Sequence, residues 1–284
     1  MAILAVDLGN YNINTSEDVM FPATFTVGEV HNPIGEEIVT IGEETYCMAK
    51  ECAFDYEFNK SKKNYLPNLF YAIHKSTEES EIDLVLGIPV ENLGVATDFK
   101  SDLEGKEFNF KVNNDERTIK INKVAVVGEG ISSYYMLSKE QRENKDVMIV
   151  DIGGRTINVV TFRNKRIEHK KQINMGMINF YEDVKTRHNS IKGDNLETEQ
   201  MYSYIKKGMV EVDHKDELTF VNKMFNAIKP VAEKDFYDVY FTGGGSITLE
   251  DTLKEVYPNG KIMENSLFTN VNGNKRIAVA QWRK

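Results

Sequence analysis

One pattern of chemically capable residues occurs twice in this chain. Residues 6–14 read Val-Asp-Leu-Gly-Asn-Tyr-Asn-Ile-Asn, and residues 150–158 read Val-Asp-Ile-Gly-Gly-Arg-Thr-Ile-Asn. In each copy an aspartate follows an apolar run (Ile3-Leu4-Ala5-Val6; Val147-Met148-Ile149-Val150) and precedes a glycine turn and a return strand. Glycine in such a turn tolerates positive φ and lets backbone approach a ligand closely. Successive N–H groups then converge as an anion nest. The aspartate would repel phosphate directly, but it can hold a hydrated Mg²⁺, which takes one or two carboxylates, substrate oxygens and retained waters. Two such turns supply two nests and two carboxylates, Asp7 and Asp151, enough for a triphosphate and its metal. A single Asp-x-Gly turn is commonplace in hairpins. Duplication at the ends of equally apolar strands is what points to phosphate.

A third feature is Thr242-Gly243-Gly244-Gly245-Ser246, which follows the apolar strand Val239-Tyr240-Phe241. Open α/β sheets admit ligands over the carboxyl ends of their strands, and three glycines remove side chains that would block a base or sugar. The same residues also suit a plain tight turn. Cys47 and Cys52 are the only cysteines; with no second pair and no nearby histidine they make a poor zinc site and read as reduced thiols. The basic runs Lys60-Ser61-Lys62-Lys63 and Arg163-Asn164-Lys165-Arg166 read as solvated turns.

The elements that must position these residues alternate between β and α. Residues 2–8, 11–16, 21–30 and 37–46 read as strands. Leu66, Leu69, Phe70 and Ile73 carry helical spacing, with Pro67 suited to the first turn. Leu84-Val85-Leu86-Gly87-Ile88 is almost wholly apolar, as in strands covered on both faces. Residues 108–112, 117–121 and 124–127 read as three further strands, and a helix is expected from Ile131. After the second hairpin, which continues through 159–162 and returns through 167–173, helices dominate. Met177, Phe180, Tyr181 and Val184 form one stripe, residues 201–207 another, and Leu218, Val221, Phe225, Ile228 and Val231 a third. A last helix is expected from about Leu249. Strands followed by helices, twice over, give an α/β chain, with a hinge near Glu143-Asn144-Lys145.

A hydrophobic share of 41% and a charged share of 28% are those of a folded globular protein. The net charge of −9 argues against a dedicated nucleic-acid surface, which needs clustered cations. No apolar run approaches a bilayer span, and the first residues lack a basic, then apolar leader. The expectation is a cytoplasmic protein with no membrane partner.

Taken together, the order of these features resembles the actin/Hsp70/sugar-kinase ATPase superfamily. Within it the chain resembles the bacterial actin-like proteins that segregate plasmids, the ParM class. The stretches that carry the likeness are residues 6–12, Ile41-Gly42-Glu43-Glu44, residues 84–89, Gly128-Glu129-Gly130-Ile131, residues 151–156 and Asn270-Val271-Asn272-Gly273. The short segment between second hairpin and triple glycine is similar to the AlfA-type members and implies a reduced outer lobe. The resemblance implies an actin-like ATPase fold of two facing α/β domains with a nucleotide cleft between them. Domain I would be 1–143 with 262–284, its outer lobe roughly 21–64, and domain II 144–261.

By the same resemblance, Gly9, Asn10, Tyr11 and Asn12 in the first turn and Gly153, Gly154, Arg155 and Thr156 in the second would bind the β- and γ-phosphates of ATP or ADP. Asp7 and Asp151 would position Mg²⁺ through water. Glu129 would polarise the attacking water, although a glutamate at a helix start also suits the macrodipole. Gly243, Gly244, Gly245 and Ser246 would face α-phosphate, ribose and base, and Lys206 would lie near adenine. Asn14 replaces a phosphate-contacting lysine common in the family, a charge Arg155 could supply, and Asn158 replaces a second aspartate. The implied function is an ATP hydrolase that polymerises with itself and segregates DNA through a DNA-binding adaptor, without touching nucleic acid directly. Alternatives are a sugar or acetate kinase of the same fold, a chaperone-like ATPase, for whose substrate domain no residues remain, and a non-hydrolysing scaffold.

Overall fold

The first apolar run forms β1 (Ala2–Leu8), which turns through Gly9 into β2 (Asn12–Thr15). The computed structural model describes residues 2–28, 35–49, 60–143 and 145–283; Val30, Cys52 and Asn144 lie outside these. The chain divides into two compact units, residues 1–136 with 270–284, and residues 137–269.

The first unit continues with β3 (Met20–Pro22), β4 (Phe25–Val27), β5 (Ile38–Ile41) and β6 (Glu44–Met48). Residues 37–46, expected as one strand, are a hairpin, because Gly42 at φ +60° turns the chain between β5 and β6. Helix α1 (Leu66–Ser76) follows, with Pro67 in its first turn and Leu69, Phe70 and Ile73 fully buried. Then come β7 (Glu81–Ile88), α2 (Ala96–Leu103), β8 (Glu107–Val112), β9 (Asp115–Gly128) and α3 (Ile131–Tyr134). The strands form one sheet in the order β3-β2-β1-β7-β9-β8-β5-β6-β4. Strand β7, buried at every residue after Glu81, lies parallel to both β1 and β9. The two strands expected at 117–121 and 124–127 are a single strand. The β7 pairing passes from Ile121 to Lys123, so a bulge at Asn122 absorbs the break in apolar pattern. The helix expected from Ile131 is a single turn.

The second unit opens with α4 (Lys139–Arg142), capped by Ser138 and Gln141 in a reciprocal box. Strands β10 (Val147–Ile152), β11 (Ile157–Arg163) and β12 (Arg166–Ile173) follow. Helices α5 (Met177–Lys192), α6 (Met201–Lys206) and α7 (His214–Ile228) fill the span to β13 (Asp238–Thr242), with no strand among them, which is the reduced outer lobe. The α7 stripe is shifted from expectation: Phe220, Val221, Met224 and Ile228 are buried, Leu218 and Phe225 flank them, and Val231 lies past the helix end. Helices α8 (Gly244–Thr248) and α9 (Glu250–Val256) and strand β14 (Lys261–Ile262) complete the unit. The helix expected from about Leu249 is α9, capped at Leu249; the short helix α8 before it has no counterpart in the sequence expectation. Gly243, at φ +80°, turns the chain at once and its carbonyl accepts from both the backbone N–H and the hydroxyl of Ser246. The sheet order is β12-β11-β10-β13-β14. Helix α10 (Thr269–Trp282) then returns the chain to the first unit.

Candidate functional site

The two repeated hairpins share one register. In the first, Val6 pairs with Thr15, Asp7 with Asn14 and Leu8 with Ile13. In the second, Val150 pairs with Val159, Asp151 with Asn158 and Ile152 with Ile157. Each aspartate strand also has a parallel neighbour, β7 beside β1 and β13 beside β10. The sequence repeat is therefore a structural repeat, down to the asparagine opposite each aspartate. Both turns are tight: a Cβ on Gly9 would overlap the Asn12 carbonyl oxygen, and one on Gly153 would lie 3.0 Å from that of Thr156.

In the first unit the acidic groups have a cation between them. Lys60, only 3% exposed, lies in a 3₁₀ turn, residues 60–62. Its ammonium donates to Glu129 Oε1 at 2.6 Å, Asp7 Oδ1 at 3.0 Å and the Gly87 carbonyl at 3.2 Å. Burial by itself would lower the affinity of this amine for its proton. The Asp7 and Glu129 charges outweigh that, and Lys60 is held above the ordinary lysine range. The reading of Lys60-Ser61-Lys62-Lys63 as a solvated turn is thereby corrected. Of the run only Lys62 is exposed; Ser61 donates to Asp98 at 2.9 Å, and Lys63 donates to Asn10 in the first turn.

Glu129 is held by its backbone as well. Its N–H donates to the Ile88 carbonyl at 2.8 Å, at the end of β7. The next residues are fixed by Asn270 of α10, whose Oδ1 accepts from Gly130 N (3.0 Å), Ser132 Oγ (3.0 Å) and Ser133 Oγ (2.8 Å). Gly273 lets α10 sit this close, since a Cβ there would overlap the Ser132 carbonyl. Tyr11 accepts from Ala23 N–H at 2.9 Å, and Asn12 opens β2. A cavity of about 300 Å³ opens beside this turn, with Leu8, Gly9, Asn10, Phe25, Lys63 and Asn68 in its wall.

In the second unit the turn is clamped by α5. Gly153 N–H donates to the Thr156 carbonyl at 3.0 Å, and the Met177 and Ile178 N–H groups donate to the Gly153 and Gly154 carbonyls. Gly176 is required here, because a Cβ would overlap the Gly154 and Arg155 backbone. Asp151, Thr156 and Asn158 are buried, while Gly154 and Arg155 keep partial exposure. The glycine triplet divides by role. A Cβ on Gly243 would overlap the Asp151 carboxylate, and one on Gly245 would overlap Ile152, so these two glycines are needed for α8 to pack on β10. Only Gly244 is open, with Leu267 at an ordinary 3.5 Å. Ser246 is buried and spends its hydroxyl on the Gly243 carbonyl. Lys206 ends α6, exposed, its ammonium 6.0 Å from the Tyr202 ring centre.

Among the described residues no three His, Cys, Asp or Glu side chains gather as a metal cage. The donor set fits Mg²⁺ as a hydrated ion: single carboxylates at strand ends beside backbone turns, which would leave the remaining ligand positions to water and substrate oxygen. Among the described residues no helix is long and apolar enough to cross a membrane. Lys60 itself was missed because nothing in a lysine run tells which member turns inward.

Residues 5–131 match the family model for the N-terminal domain of actin-like proteins. Residues 149–255 match the model for the C-terminal part of an archaeal, MreB-like actin homologue. No curated protein matches the chain in sequence. Among solved structures, the archaeal actin homologue Ta0583 superposes with a TM-score of 0.85 at 15% identity, over 99% of this chain and 100% of that one. A ParM protein in a 15-stranded filament from Clostridium botulinum gives 0.79 at 19% identity, over 98% and 99%. An AlfA filament bound to AMPPNP gives 0.71 at 16%, over 100% and 98%. At these identities the likeness establishes a shared fold.

Proposed function

Since the chain belongs to the actin-like proteins, we propose that it is an ATP hydrolase that assembles with itself into nucleotide-dependent filaments and segregates plasmid DNA through a DNA-binding adaptor. The observation that carries the nucleotide reading is the pair of hairpins in identical register, each ending an aspartate strand in a tight glycine turn. Support for assembly comes from the likeness to ParM and AlfA proteins in filaments. The Ta0583 protein was also solved with ADP, at a TM-score of 0.82 and 17% identity.

On this reading Gly9, Asn10, Tyr11 and Asn12 and residues 153–156 bind the polyphosphate, with Lys63 and Arg155 adding positive charge near it. Asp7 and Asp151 hold the waters of Mg²⁺, which when bound neutralises the polyphosphate charge. Glu129 takes the proton of the attacking water, a task suited to a fixed carboxylate within one water of the phosphorus. Gly244 is the member of the triplet with room for ribose or base, and Lys206 is the adenine-side candidate. ATP favours the filament and hydrolysis weakens it. The negative net charge suits contact with DNA through an adaptor, in the cytoplasm.

Phosphate release from ATP with Mg²⁺ tests the enzymatic part. We expect turnover in the wild type, loss with EDTA, and a Glu129→Ala variant that binds ATP but hydrolyses it at least about 100-fold more slowly. A Glu129→Ala variant with normal hydrolysis would reject the assignment.

A further inference from the structure

Lys60 is the only lysine or arginine in the buried class among the described residues. An ammonium has three protons, and here each has an acceptor: Asp7 Oδ1, the Gly87 carbonyl and Glu129 Oε1. Those acceptors close the ends of three adjacent strands. Asp7 pairs with Gly87 across β1 and β7, and Glu129 directly follows Gly128, which pairs with Ile88 across β7 and β9. Ligands of open α/β sheets sit at this carboxyl edge. The turn that carries Lys60 is anchored from outside, by Ser61 to Asp98 (2.9 Å) and by the Tyr65 hydroxyl to Asp102 (3.3 Å), both on α2.

We propose that Lys60 is a positioning residue for hydrolysis: its ammonium ties the Glu129 carboxylate to Asp7 and so aims the group that orients the attacking water. The inference rests on the triphosphatase reading above. Two like charges cannot share a buried spot without a cation, and removing one partner of a buried ion pair leaves the other uncompensated. Without Lys60, the Glu129 side chain loses its 2.6 Å hydrogen bond to the ammonium and is repelled by Asp7. Lys60 has no proton to spare for phosphate in this arrangement. Its effect therefore falls on the chemical step and not on nucleotide affinity.

Steady-state ATP turnover by the full-length chain decides this, with Lys60→Met, Glu129→Gln and the double variant. Groups that act as a unit give non-additive losses. Lys60→Met and Glu129→Gln should each lower kcat by about 100-fold while KM moves less than about threefold, and the double should be no slower than Glu129→Gln. Lys60→Arg, which keeps the charge, should recover part of the rate. Wild-type kcat in Lys60→Met, losses that multiply in the double, or a change confined to KM would each overturn the proposal. If Lys60→Met folds poorly, melting temperatures decide the pairing. The double variant should then melt above Lys60→Met because the stranded carboxylate is gone, and a double that melts no higher would overturn it. A wild type that fails to hydrolyse ATP would reject the triphosphatase reading; an active wild type with an indifferent Lys60→Met rejects only the role of Lys60.

Discussion

Asn270 shows how much one side chain can fix. Its single amide oxygen accepts three hydrogen bonds around the residues that follow Glu129. Asn270→Ala removes this shared acceptor and should cost about 1–3 kcal/mol, read from urea unfolding, with a fall in ATP turnover. Unchanged stability would show that the three bonds are dispensable. The glycine triplet offers a cleaner contrast. Gly245→Ala should destabilise by about 1–3 kcal/mol, because its methyl group enters occupied core. Gly244→Ala has room and should melt as the wild type does, yet weaken nucleotide binding in calorimetry. Equal behaviour of the two variants would remove the distinction between packing and ligand glycine. At this scale the sequence was only partly legible. Asp7, Asp151 and the turn glycines announced themselves by repetition. Lys60 did not, because its burial depends on partners 53 and 69 positions away, and no local pattern encodes that.

The hairpins, α1 and the apolar strand β7 follow directly from apolar periodicity and turn residues. The elements that differed from expectation did so where tertiary pairing overrode a local break. Strand β9 runs through Asn122 and Lys123 because β7 supplies a partner on both sides of the bulge. Helix α8 starts at Gly244, a poor helix former, because the triplet is where the chain must pass close to β10. The first turn of α5 grips the second glycine turn through the Met177 and Ile178 N–H groups. Gly176→Ala would force α5 away from Gly154 and Arg155. It should weaken ATP binding by at least about tenfold, in line with the cost of misplacing a pre-organised site. Wild-type affinity in that variant would mean that the α5 clamp does not shape the turn.

At the scale of the molecule, each of two units carries one copy of the same aspartate hairpin, flanked on its other side by a parallel strand. The actin-like fold was legible from that repeat together with residues 128–131, the triplet and residues 270–273. Assembly was not, because filament contacts leave no comparable periodic mark and a fold does not dictate a function. Sedimentation of the purified chain with Mg²⁺ and ATP, with ADP, or with no nucleotide tests the central claim most directly. The protein should pellet with ATP at micromolar concentration, stay largely in the supernatant without nucleotide, and leave the pellet as ATP is consumed, more slowly in Glu129→Ala. Equal sedimentation under all three conditions would contradict nucleotide-dependent filament formation.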